Sequence, residues 1–86
     1  MARYLVELYL AKGAASEVAA ATDRARAAAI GAEDGGAAVR CLRSIFVPED
    51  ETWFLLYEAP SSAAVRRAVE RAKLECARVV EAVTPR

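Results

Sequence analysis

Eighty-six residues, with 12 basic and 12 acidic side chains and no histidine, bound what this chain can be. The length makes one domain with a modest core, and zero formal charge argues against a nucleic-acid footprint built on a basic patch. The missing histidine removes the commonest transition-metal ligand and the commonest general base near neutral pH.

No run of like charge is longer than Glu49-Asp50-Glu51. No run reaches the roughly 20 apolar residues of a membrane span. The start Met1-Ala2-Arg3-Tyr4 lacks the regions of a signal peptide. These features read as a soluble, cytoplasmic protein with no nucleic-acid and no membrane partner. Cys41 and Cys76 lie far apart, read as free thiols in such a compartment, and match no zinc-binding spacing. Large apolar residues fall in short runs at 4–10, 39–47, 53–57 and 79–83, while much of the remaining hydrophobic content is alanine. A second copy often completes a core this thin, so a homodimer is expected.

In chain order, residues 4–10 read as a strand, with Tyr4, Val6, Leu8 and Leu10 on one face and Arg3, Leu5, Glu7 and Tyr9 on the other. Lys12-Gly13 ends it. Ser16 fits a helix N-cap, with Glu17 in the first turn to suit the helix dipole. The helix runs to about Ile30 on an apolar stripe of Val18, Ala21, Thr22, Ala25, Ala28 and Ala29, and Gly31 stops it. Residues 32–36 form a loop with Gly35-Gly36 as its freest point.

Residues 39–47 and 52–59 are the strongest β signals, and Pro48-Glu49-Asp50-Glu51 joins them as a tight acidic turn read as a solvent-exposed connector. Ser61-Ser62 begins a second helix with Val65, Ala68, Val69 and Ala72 inward, ending near Lys73-Leu74. Residues 77–83 make a last strand. The order β-α-β-β-α-β predicts an α+β, ferredoxin-like domain over residues 1–86. Its four-stranded antiparallel sheet, in the order 4-1-3-2, carries both helices on one face.

The uncovered sheet face is then where function would sit. In the second strand, alternation turns Leu42 and Phe46 inward and Cys41, Arg43, Ile45 and Val47 outward. In the third, Trp53, Leu55 and Tyr57 go to the core and Phe54, Leu56 and Glu58 face out. In the fourth, Val80 and Ala82 point to the helices and Val79, Glu81 and Val83 point away. Such a face is too apolar to stay wet, and a second copy or a ligand is expected on it. Within it Glu7, Glu58 and Glu81 stand against Arg43. Either Arg43 neutralises the acids and sets a dimer register, or a cation or proton completes the balance.

No nucleophile and no phosphate loop emerges. Ser61 and Ser62 read as caps, and Gly35-Gly36 precedes a strand, so it lacks the oriented amides of a helix start. Trp53, Phe54 and Tyr57 read as core and interface residues, not as a stacking platform for bases.

The segments Val39-Arg40-x-Leu42-Arg43-Ser44-x-Phe46-Val47-Pro48-Glu49-Asp50-Glu51-Thr52 and Tyr57-Glu58-Ala59-Pro60-Ser61-Ser62-Ala63-Ala64-Val65-Arg66 carry a family resemblance. Tyr4-Leu5-Val6-Glu7 and Arg78-Val79-Val80-Glu81 extend it over nearly the whole chain. The chain resembles a small bacterial family of unknown function with a ferredoxin-like fold, some members of which are described as nickel-binding proteins. An alanine- and arginine-rich composition suits a GC-rich bacterium. The resemblance implies the fold and a face-to-face dimer like that of the dimeric α/β-barrel proteins. Nickel as a cofactor is implied by the resemblance alone. The nickel-binding members use histidines, which this chain lacks, so no metal ligand carries over. The positions that match are Glu7, Arg43, Glu58 and Glu81, as charged residues without an assigned role.

The expected function is a non-catalytic small-ligand or metal-ion binding protein that acts as a homodimer through the open sheet face. Glu7, Tyr9, Arg43, Glu58 and Glu81 are its candidate binding residues. One alternative is a cofactor-independent oxygenase or isomerase of the dimeric α/β-barrel type, with Glu7 or Glu58 as base and Tyr9 as hydrogen-bond donor. The other is a structural dimerisation module whose charges only orient the subunits.

Overall fold

A computed structural model describes residues 1–32, 38–75 and 78–85. Its centre is the pair of strands β1, Ala2–Tyr9, and β3, Thr52–Ala59, which run antiparallel in unbroken register from Ala2 opposite Ala59 to Tyr9 opposite Thr52. Both strands alternate, so Tyr4, Val6 and Leu8 share one face with Trp53, Leu55 and Tyr57. Strand β2, Arg40–Val47, pairs with the outer edge of β3, and β4, Arg78–Ala82, pairs with the outer edge of β1. The order is β2-β3-β1-β4, the expected 4-1-3-2 read from the other side.

Helix α1, Val18–Ile30, and helix α2, Ser62–Arg71, cover that face. From α2 come Ala64, Val65, Ala68 and Val69; from α1 come Ala21, Ala25 and Ala29. The fold is the ferredoxin-like β-α-β-β-α-β arrangement. Alanines let α1 approach the sheet closely, but they bury little area, so apolar contact alone anchors this helix weakly. A chain of hydrogen bonds adds to it. The Trp53 indole Nε1–H donates to Ser44 Oγ at 2.7 Å. Ser44 Oγ lies 2.8 Å from Thr22 Oγ1, which donates to the Val18 carbonyl at 2.7 Å. Thr22 has one proton and spends it on Val18, so Ser44 donates to Thr22 and accepts from Trp53. The chain joins β3, β2 and α1.

The start of α1 differs from expectation. A 3-10 helix, Lys12–Glu17, leads directly into it, and Ser16 does not cap it. The residue before α1 is Glu17, already in the right-handed helical region, whereas a side-chain cap needs an extended residue there. At α2 the expected cap forms: Ser61 is extended and its Oγ accepts from Ala64 N at 3.2 Å. This helix ends two residues early, because Lys73 turns left-handed at φ 59°. Leu74 N then bonds Val69 O at 3.2 Å and Lys73 N bonds Glu70 O at 2.9 Å, the double bond pattern of a helix stop usually made with glycine. Gly31 ends α1 as expected, and its missing Cβ leaves room for the Arg71 guanidinium. Arg71 Nε also donates to Ala28 O at 3.4 Å, linking the ends of the two helices.

The acidic turn is more than an exposed connector. Pro48–Asp50 forms a 3-10 turn and Glu51 follows in the left-handed region at φ 48°. There its carbonyl accepts from Leu10 N at 3.0 Å and its carboxylate accepts from Lys12 N at 2.8 Å. The turn therefore clamps the end of β1. The proposed loop point Gly35-Gly36 and the thiol Cys76 lie outside the described residues.

Two stability changes follow. Ser44→Ala leaves the buried indole N–H without its acceptor and should lower unfolding free energy by about 1–3 kcal/mol, read from the urea midpoint at constant slope. Lys73→Gly removes a left-handed Lys and should raise it by about 0.5–1 kcal/mol, part of the gain being offset by a freer unfolded chain.

Candidate functional site

Residues opposite one another on neighbouring strands share a face, so the register maps the uncovered side of the sheet. Arg40, Glu58, Arg3 and Ala82 form one row across β2, β3, β1 and β4. Arg43, Leu56, Leu5 and Val80 form the next, and Ile45, Phe54, Glu7 and Arg78 the third. Val47, Thr52 and Tyr9 close the far end. An apolar band built on Leu5, Phe54, Leu56, Ile45 and Val80 thus crosses all four strands, with charges around it. Ile45 keeps 54% of its surface exposed and Tyr9 keeps 69%.

Glu7, Tyr9, Arg43 and Glu58 lie on this face as expected, but Glu81 does not. It sits opposite Tyr4, whose ring is buried on the helix side, and its carboxylate stays exposed on the edge strand. Val79, opposite Val6, packs on the core, and Val80, opposite Leu5, faces out. Residues 79 and 80 are both valine, so alternation within the strand could not choose. Pairing with β1 chose.

A second reversal lies in β2. The register slips between Cys41 and Arg43, with Leu42 as the extra residue of a bulge. Cys41 lies opposite Tyr57 and packs against the core, and Leu42 is not the inward residue of a regular strand. Arg40 joins the open face, while Arg43, Ile45 and Val47 keep the orientation expected of them. Ser44 enters the helix side as the acceptor of the Trp53 indole.

These changes reverse the balance of charge. Among the described residues, the open face carries Glu7 and Glu58 against Arg3, Arg40, Arg43 and Arg78, four arginines to two acids. Arg3, not Arg43, pairs with Glu58, at 3.8 Å, and donates to Thr84 Oγ1 at 2.9 Å. Among the described residues none gives Arg40, Arg43 or Arg78 an ion pair within 4.0 Å. An open depression of about 540 Å³ at the Arg3 end is lined by Arg3, Glu58, Glu81 and Thr84. Tyr9 lies at the opposite end, and its hydroxyl turns to Glu51 Oε2 at 3.4 Å. Tyr9 is two residues from Glu7 on β1, on the same face of the sheet. Among the described residues no three His, Cys, Asp or Glu side chains come together to hold a metal ion.

Arg40, Arg78 and the tether Glu51 are the residues that sequence reasoning passed over. Arg78 falls in phase with Glu7 only through the β1–β4 register. A bulge signal for Arg40 would have needed the inward requirement of both Cys41 and Ser44 to be weighed together.

Burial raises the Cys41 thiol above its ordinary value of 9.0, against the opposing pull of the Arg26 guanidinium and a hydrogen bond from Tyr57. The thiol is neutral at pH 7 and a poor nucleophile. Its folded pKa is the higher one, so the associated stability is present below pH 9.0 and is lost as pH rises through the folded value. Cys41 in the native protein should alkylate with iodoacetamide at pH 8 at least about tenfold more slowly than in urea, read by peptide mass mapping.

No protein-family model matches the chain, and no curated protein matches it. Among solved structures, the crystal structure of SCO4226 from Streptomyces coelicolor A3(2) is similar, with a TM-score of 0.83 at 20% identity over 99% of this chain and 100% of that one. At that identity the likeness establishes a shared fold.

Proposed function

We propose that the chain is a non-catalytic binding protein that works as a homodimer, two copies meeting through their open sheet faces and enclosing a small molecule or ion. The observation that carries this reading is the apolar band from Ile45 through Phe54, Leu56 and Leu5 to Val80, uncovered on one side of a sheet whose other side is fully used by helices. Exposing a contiguous band of this kind is costly in water, and a two-fold pairing buries the same patch from both copies. The charges suit self-association: acids sit on the inner strands β1 and β3, and arginines without ion pairs among the described residues sit on the edge strands β2 and β4.

The resemblance to nickel-binding proteins keeps a metal ion among the candidate ligands. Glu7 and Glu58 are the open-face carboxylates, on adjacent strands but four register positions apart, so a metal would draw on both copies.

Light scattering on a size-exclusion column should give a dimer at micromolar concentration. Leu56→Glu, an outward change that leaves the helix side untouched, should weaken dimerisation at least about tenfold while the circular dichroism spectrum stays that of the parent. A monomeric parent protein would refute the reading.

A further inference from the structure

The dimer reading leaves open what chemistry the enclosed space would accept, and the sheet register answers it. Resting on that reading, we infer that the site takes an amphipathic organic anion, with an apolar body and a carboxylate-type head group. The apolar band supplies a surface for the body. The arginines flank it: Arg43 stands beside Leu56, and Arg78 lies at the end of the row that holds Phe54 and Glu7. Glu58, opposite Arg40, already has Arg3 at 3.8 Å, and among the described residues Arg43 and Arg78 make no ion pair within 4.0 Å. Among the described residues, four arginines against two acids leave two positive charges in excess on each face, and pairing two copies doubles that excess. Closing the space would lower its dielectric and make the excess costly unless an anion enters.

Guanidinium suits a carboxylate better than other cations do, because its planar fork can give two parallel hydrogen bonds. A cation of the same size would meet like charge on both edges. The geometry therefore reverses the preference for a cation that follows from counting Glu7, Glu58 and Glu81 against Arg43, since Glu81 leaves the face and Arg40 and Arg78 join it.

Two probes with the same apolar body isolate the charge: decanoate and decyltrimethylammonium, both below their micelle concentrations, titrated by calorimetry into the whole protein. Nickel chloride alone is the third titrant. Decanoate should bind at least about tenfold more tightly than the ammonium probe, and Arg43→Gln with Arg78→Gln should each weaken decanoate by about tenfold. Both arginines are exposed, so the variants should fold, and the unfolding midpoint checks this. Stronger binding of the ammonium probe or of nickel overturns the anion assignment, as does decanoate affinity unchanged in both variants or no binding of any probe. Light scattering on the same samples separates the two proposals. A monomer that binds decanoate through Arg43 and Arg78 retains the anion preference and overturns the dimer. A dimer indifferent to decanoate does the reverse.

Discussion

One hydrogen bond, from the Trp53 indole to Ser44 Oγ at 2.7 Å, decides which side chains the sheet shows to the outside. Trp53 is the largest side chain in the core, and its N–H needs an acceptor once water is excluded. Ser44 meets that need from the neighbouring strand. With both residues inward, Phe54, Leu56 and Glu58 must face out on β3, and Arg43 and Ile45 must face out on β2. Ser44 in turn gives its proton to Thr22, so the same bond also sets where α1 sits over the sheet. An alanine-rich helix has few large residues to key it into place, and a polar chain of fixed donor order supplies the missing specificity.

The bulge at Leu42 is the complement of this constraint. Cys41 packs against the core opposite Tyr57, and Ser44 must also be inward, yet the two are three positions apart. A regular strand cannot turn both to one face, because its side chains alternate with period two. One extra residue resolves the conflict, and its consequence is chemical. Arg40 falls on the open face opposite Glu58, while Arg43 remains there beside Leu56. On the other edge, pairing of β4 with β1 places Arg78 opposite Glu7 and sends Glu81 away. The open face therefore becomes basic at its edges in a chain with no net charge.

The architecture was legible in the residues because its signals are redundant. In β3, a tryptophan, a leucine and a tyrosine alternate with a phenylalanine, a leucine and a glutamate; the span Thr52–Ala59 and its inward set both emerge in the structure as read. Ser61 announces α2 through a spacing that any N-cap obeys. The errors fall where the local signal is symmetric or absent. Val79 and Val80 are identical, so nothing within β4 tells the faces apart. Ser16 has the right chemistry for a cap but stands inside a 3-10 helix. Glu51 looked like one acid of an exposed turn, and its tether to Lys12 spans the gap between two distant parts of the chain.

What the sequence by itself determined is the set of elements, their order and the existence of one apolar face too many. Periodicity, caps and turn residues are local, and they sufficed for a β-α-β-β-α-β chain. What only the tertiary structure decided is the sign of the charge on that face. It depends on strand register and on a bulge, and both are set by partners on other strands: Tyr57 and Leu55 across the hairpin for β2, Tyr4 and Val6 at the far end of the chain for β4. A one-residue slip moves every side chain of a strand to the opposite face. The same 24 charged residues could thus present an acidic or a basic surface, and the pairing of β2 with β3 and of β1 with β4 chose the basic one.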